Sequence, residues 1–375
     1  MTRNSRAALA IILVPALLCT VWMTAAAQGP YDEDDWAEEW LASGEYFRMM
    51  NEEGEVIMES GRVLDVGDEY LTGDNRLYRV VRVDPEQRVA HAELVERVEL
   101  KVVPIAELLK SAQALAGMVD SEPRGLIGIY HTHNAESYIP TDGTDSINGK
   151  GGIHQVGAAF AASLEERGVK VEHSENLHLP HDRGAYRRSR ETAIALLAKN
   201  PDAIFDVHRD AAPRDAYALQ LKDEWVTSLQ FVVGRQNQNL GVNREFAQSM
   251  KALADQVYPG LVKGIFFGRG NYNQDLSPLA LLLEAGAHTN SREAAERGIS
   301  LFADVVDLYF YGETAEAGGA GASQGEQAGS AAAARGIGGL LLFVFACAAV
   351  FYVINAGGLG AAVERIKGLF RIRQR

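Results

Sequence analysis

Cysteine is almost absent from this chain of 375 residues: there are two, Cys19 and Cys347. Both fall inside apolar stretches near the ends, so the body between them can form no disulfide and offer no thiolate. A metal site there has to be built from His, Asp or Glu. Positive charge is also scarce, with 36 Lys and Arg against 50 Asp and Glu. Seven of those cations, Arg3, Arg6, Arg365, Lys367, Arg371, Arg373 and Arg375, belong to the ends. Between the ends 29 cations face 49 acids, a net charge of −20. That sign excludes nucleic acid as a partner and reads as a solvated acidic surface. No internal repeat is present.

Long apolar runs are limited to two. Ala7 to Ala27 follows Arg3 and Arg6 and ends in Ala25-Ala26-Ala27-Gln28, so residues 1–27 read as a signal peptide or signal anchor. Residues 336–363 carry no charge and read as a transmembrane helix, and 364–375 as its basic tail. The positive-inside rule puts that tail in the cytoplasm and the body on the extracytoplasmic side of the cell membrane. Residues 313–335, rich in Gly, Ala, Ser and Gln, form a flexible tether.

What remains divides in two. Residues 28–104 show short runs of alternating apolar and charged positions, such as Leu77-Tyr78-Arg79-Val80-Val81-Arg82-Val83. They read as a small β-rich module of unknown role, with no residue that looks catalytic. Ile105 to Val119 reads as an amphipathic helix. From there to 312 strands alternate with helices, which predicts an α/β domain with a mostly parallel sheet flanked by helices.

Three polar clusters sit at the ends of its apolar runs: Tyr130 to Ser137 after Leu126 to Ile129, Asp206 to Asp210 after Ala203 to Phe205, and Glu284-Ala285-Gly286 after Leu279 to Leu283. Imidazoles and carboxylates at the carboxyl ends of strands in one sheet are what a hydrolytic zinc site needs. On an extended segment His131 and His133 share a face and either reaches a metal; His133, further past the strand end, is preferred. Glu136 is the nearest carboxylate, and His208 is the second imidazole, with Asp206 and Asp210 at hand to fix its tautomer. Glu284, behind five apolar residues, reads as the general base or else as half of a buried ion pair with an arginine such as Arg209. Arg209 is otherwise a candidate for binding a substrate carboxylate or a polarised carbonyl. Gly286 lets the backbone pass close to a ligand. His173, His178 and His181 read as a polar surface loop, and His154 as a first-turn surface residue.

In the order His131-Thr132-His133-Asn134-Ala135-Glu136-Ser137-Tyr138, Val156-Gly157, Tyr186 to Thr192, Asp206-Val207-His208-Arg209-Asp210, Asn271 to Leu276 and Leu281 to Gly286, the chain resembles the stage II sporulation protein P family. These are membrane-anchored cell-wall hydrolases of endospore-forming bacteria. The resemblance implies a fold like that of zinc-dependent N-acetylmuramoyl-L-alanine amidases and a substrate in peptidoglycan. It implies cleavage of the amide between muramic acid and the stem peptide, with endopeptidase action on crosslinks as an alternative. A non-catalytic wall-binding scaffold is the reading from another class. The implied partners are stage II sporulation proteins D and M, in forespore engulfment. Carried onto this chain, it implies zinc on His133, Glu136 and His208, with Glu284 as base. In the general amidase pattern the ligand Glu opens the first helix, where this chain has His154. The third ligand is therefore open between Glu136, His154 and His131.

Overall fold

The computed structural model describes residues 41, 44–101, 124–182, 184–221 and 223–312. The two apolar end stretches, the helix expected over 105–119 and the tether lie outside them. Among the described residues no helix is long and apolar enough to cross a membrane. The chain divides into two compact units, 1–309 and 310–375, and every described strand belongs to the first.

Among the described residues, thirteen strands form one large sheet and one hairpin. They are β1 (Phe47–Met50), β2 (Val56–Ser60), β3 (Glu69–Thr72), β4 (Arg76–Asp84), β5 (Val89–Arg97), β6 (Arg124–Tyr130), β7 (Val169–His173), β8 (Ala203–Asp210), β9 (Ala218–Leu221), β10 (Glu224–Thr227), β11 (Leu229–Gly234), β12 (Val262–Gly268) and β13 (Ala280–Ala287). The helices are α1 (Ile139–Asp142), α2 (Ile153–Glu165), α3 (Ala185–Leu197), α4 (Leu240–Val257) and α5 (Arg292–Tyr311). The sheet order is β2-β1-β5-β4-β3-β12-β11-β13-β8-β6-β7, with β9 and β10 paired separately.

The sheet is mixed, which corrects the mostly parallel expectation. Strands β7, β6, β8 and β13 run parallel, but β11 is antiparallel to β13. A parallel neighbour needs a crossover, usually a helix. Helices α2 and α3 supply crossovers around β6, β7 and β8, whereas β8 leads to β11 through only a 3₁₀ turn at Arg214–Ala216 and the β9–β10 hairpin. The chain reverses there. Helix α4 then carries β11 into the parallel β12.

The strands of 47–97 continue the same sheet, because β3 pairs antiparallel with β12 from Gly264↔Thr72 to Phe267↔Glu69. Between β2 and β3, residues 61–68 are mainly loop and cross toward β8: Gly61 N–H and Ser60 Oγ–H both donate to Asp210 Oδ1, at 3.1 and 3.0 Å. A Cβ on Gly61 would overlap Ala211, so only glycine lets the loop come this close.

Central strands β8 and β13 are buried along nearly their whole length, as continuous apolar runs covered on both faces should be. Helix α2 turns Ile153, Val156, Gly157, Phe160, Ala161 and Leu164 inward, spaced for one helical face. Phe160, Phe205, Phe231 and Phe302 meet edge-on or tilted at 5.4–6.1 Å and fill the space between sheet and helices.

Candidate metal centre

The chain leaves β6 in a turn, not in an extended segment. Glu136 N–H donates to His133 C=O at 3.1 Å, folding the Glu136 carboxylate back over His133. The shared face expected for His131 and His133 is lost with the extended backbone, and the two imidazoles part. His133 enters the crevice at the strand ends, while His131 turns toward α2.

In the crevice one carboxylate oxygen, Glu136 Oε1, lies 3.5 Å from Nδ1 of His133 and 3.5 Å from Nδ1 of His208. The two imidazole rings are 4.8 Å apart and nearly perpendicular. Donors bound at 2.0–2.1 Å to a tetrahedral ion stand about 3.4 Å from one another, so each imidazole stands from Glu136 at the spacing of two ligands of one zinc ion, and a nitrogen of His181 also lies within 4.8 Å of donors on His133 and Glu136. All three side chains are buried. Burial outweighs the Glu136 hydrogen bond and holds the His133 imidazole well below its usual pKa, which keeps it a neutral donor. Burial works against the Glu136 carboxylate as well, but His208 and His133 overcome it and hold the group well below the usual range. Its Oε2 accepts the backbone N–H of Arg209 at 3.0 Å.

His208 and Asp206 alternate along β8 onto one face. Asp206 Oδ1 lies 2.9 Å from His208 Nε2, on the far side of the ring from Glu136. A carboxylate there places the proton on Nε2 and turns the Nδ1 lone pair toward the crevice. Asp206 is itself fixed by Thr132, whose N–H and Oγ1–H donate to it at 2.8 and 2.6 Å. Without a metal, burial would lower the His208 pKa, but Asp206 and Glu136 prevail and raise it to about 10. Asp210 fixes no tautomer; it anchors Ser60, Gly61 and the Tyr217 hydroxyl.

Glu284 is the register partner of His208 across the parallel β13–β8 pair, which brings it to the same crevice. It is 2% exposed. Its ion-pair partner is Arg62, whose Nη2 donates to Oε1 at 2.6 Å. Oε2 is buried and has no hydrogen-bond partner among the described residues. Burial raises the carboxyl pKa, Arg62 lowers it, Asp210 raises it again, and the balance lies at about 7. Arg62 is the residue that sequence reasoning missed: it sits in 47–97, where nothing looked catalytic, and the loop after β2, anchored on Asp210 through Ser60 and Gly61, carries it to Glu284. A buried carboxylate demands a cation, yet spacing does not say which.

The Arg209 guanidinium donates to Ser137 C=O at 3.3 Å and Asp145 C=O at 2.8 Å, spanning the loop that carries Glu136. Gly286 has φ +75°, in a bulge where the β13–β8 register shifts. A Cβ there would lie 2.7 Å from Thr227 Cγ2, so the glycine admits β10 instead of a ligand. Of the loop histidines, His181 stacks on His133 at 5.0 Å, and Tyr186 packs edge-on against His133 at 5.0 Å. His178 bonds to His131 C=O and Thr192 Oγ1 at 2.8 and 2.9 Å. His154 is buried, not a surface residue, and with His131 it lies beside His173, away from the Glu136 set.

Comparison with known proteins agrees with the sequence motifs. Stage II sporulation protein P of Bacillus subtilis (strain 168) is 33% identical over 213 residues, covering 51% of this chain and 53% of that protein. The chain thus spans about half the length of the curated relative it matches. Among solved structures, similarity extends to the N-acetylmuramyl-L-alanine amidase Ami1 from Mycobacterium smegmatis, at 17% identity and TM-score 0.32, covering 50% of this chain and 96% of that one. It also extends to the CwlD amidase from Clostridioides difficile, solved in complex with the GerS lipoprotein, at 13% identity and TM-score 0.32, covering 49% and 95%. The family model of stage II sporulation protein P matches residues 84–307, which include His133, Glu136, His208 and Glu284 but not the loop of Arg62, and the chain belongs to that family.

Proposed function

We propose that the protein is a peptidoglycan hydrolase of sporulation, an N-acetylmuramoyl-L-alanine amidase that holds zinc on His133, Glu136 and His208. The observation that carries this reading is Glu136 Oε1 standing 3.5 Å from Nδ1 of both His133 and His208, with a buried carboxylate of pKa about 7 on the adjacent strand. Zinc in such a site supplies Lewis-acid polarisation of the scissile carbonyl and a water of lowered pKa. Glu284 takes a proton from the attacking water through Oε2 and returns it to the amide nitrogen as the lactyl–alanine bond breaks. A pKa near the working pH suits both transfers. Arg62 holds the other oxygen and keeps the base aligned. Asp206 orients His208, and Arg209 secures the Glu136 loop. Tyr186, whose buried hydroxyl has no hydrogen-bond partner among the described residues and stays protonated because burial raises its pKa well above 10, offers a hydrogen-bond donor to the substrate. We place this body on the outer side of the cell membrane, tethered through the apolar end stretches, with stage II sporulation proteins D and M as partners.

The test is digestion of purified peptidoglycan by the zinc-loaded chain, with products resolved by mass. Release of free stem peptides, lost in Glu284→Gln and His208→Ala, is the expected result. Sugar-linked peptides freed from crosslinks would show an endopeptidase instead. Full activity of Glu284→Gln would sink the mechanism, and no release by any zinc-loaded form would leave the scaffold reading.

A further inference from the structure

Three histidines that the crevice does not use meet on the other side of the β6 terminus. His131 follows β6, His154 lies in the first turn of α2, and His173 ends β7, one register step from His131 through Ile129↔His173. One ring nitrogen from each lies within 4.8 Å of the others. His131 Nδ1 is 2.8 Å from the Val207 carbonyl, which only accepts, so Nδ1 carries the proton and Nε2 presents a lone pair. That Nε2 is 2.8 Å from His173 Nε2. The ring of His154 lies 4.7 Å from that of His131.

His154 makes the cluster more than a hydrogen-bonded pair. It is 1% exposed, and neither of its ring nitrogens has a hydrogen-bond partner among the described residues. A buried imidazole with both nitrogens unmet is a cost that folding seldom leaves uncompensated. The neighbouring helix is also cut away at this point. Gly157 stands one turn on from His154, and a Cβ there would overlap His131 Nε2 and lie 2.8 Å from His173 Nε2. The missing side chain is what lets both Nε2 atoms come this close to α2. At the rim Lys150 and Glu175 form an exposed ion pair at 2.6 Å and act electrostatically on His154 and His173.

We infer that His131, His154 and His173 form a second, independent site for a divalent transition-metal ion, with zinc as the natural occupant and an open position toward the rim. Three neutral imidazoles suit zinc, cobalt, nickel or copper and disfavour magnesium or calcium. A metal here ties β6, β7 and α2 together two residues from His133. It steadies the turn that carries the first crevice ligand without touching the crevice.

The full-length chain is stripped with chelator, reloaded with zinc, passed over a desalting column and analysed for metal per chain. Two zinc ions are expected in wild type, one in His208→Ala, one in His173→Gln and none in the double variant. In the His208→Ala background, zinc should still raise the melting temperature, and His173→Gln or His154→Phe should abolish that rise. One zinc in wild type, lost in His208→Ala and kept in both His173→Gln and His154→Phe, would overturn the second site while leaving the crevice reading intact. One zinc kept in His208→Ala and lost in His173→Gln would support the second site and remove the crevice reading. If His173→Gln fails to fold, cobalt-loaded His133→Ala/His208→Ala remains decisive: visible bands of a nitrogen-ligated cobalt ion support the site, and their absence refutes it.

Discussion

Replacing Arg62 by Met removes the only ionic partner that the Glu284 carboxylate has among the described residues. Breaking one side of a buried ion pair costs roughly 3–5 kcal/mol if the survivor stays charged. A carboxyl avoids that cost by keeping its proton, and at about 1.4 kcal/mol per pKa unit even the lower figure corresponds to about two units. The acid limb of the kcat/KM profile for stem-peptide release, which reports the free enzyme, should therefore move up by about two pH units. On that limb activity at fixed pH falls about 100-fold, and it recovers toward the wild-type plateau at high pH. Arg62→Lys keeps the charge and should move the limb much less. The profile is measured on zinc-loaded protein, with zinc content checked for each variant. An Arg62→Met profile that superimposes on wild type would refute the pairing as a control on the base.

Asp206→Asn should weaken zinc binding about 10–100-fold, the usual effect of losing a carboxylate behind a ligating histidine, as read by chelator competition. In the metal-free protein the folded pKa values of His208 and Glu284 are raised, to about 10 from 6.5 and to about 7 from 4.5. Their stabilisation is complete below the unfolded values and lost as pH rises through the folded ones, so denaturant midpoints should fall between pH 6.5 and 10. The loss is on the order of 4 kcal/mol for His208, and a flat profile in metal-free protein would contradict it. Gly286→Ala combines a left-handed backbone with a 2.7 Å approach to Thr227 and should cost more than about 1 kcal/mol, seen as a lower melting temperature; an unchanged one would remove the conformational argument.

The β-rich stretch shows where local pattern stops. Alternation in 76–84 and burial in 203–210 follow from side-chain period and are legible in a single chain. The direction of β11 is not an intrinsic property of its residues. It follows from the absence of a helix between β8 and β11, and the mostly parallel expectation failed because that gap was not read as a reversal. Apolar and polar positions mix in 61–68 too, yet these residues form the loop that delivers Arg62.

The sequence by itself determined which residue types stand at the carboxyl ends of β6, β8 and β13, because apolar runs that end in His, Asp and Glu can be read without coordinates. It also determined that metal chemistry in the body must use nitrogen and oxygen donors. Only the tertiary structure decided how the histidines divide. The turn at 132–135 sends His133 to Glu136 and His208, and His131 to His154 and His173, because a turn breaks the two-residue periodicity that extended backbone would impose. Only the crossing of the 61–68 loop toward β8 decided that Glu284 meets Arg62 and not Arg209, since residues 222 positions apart are joined by a contact that no local pattern encodes.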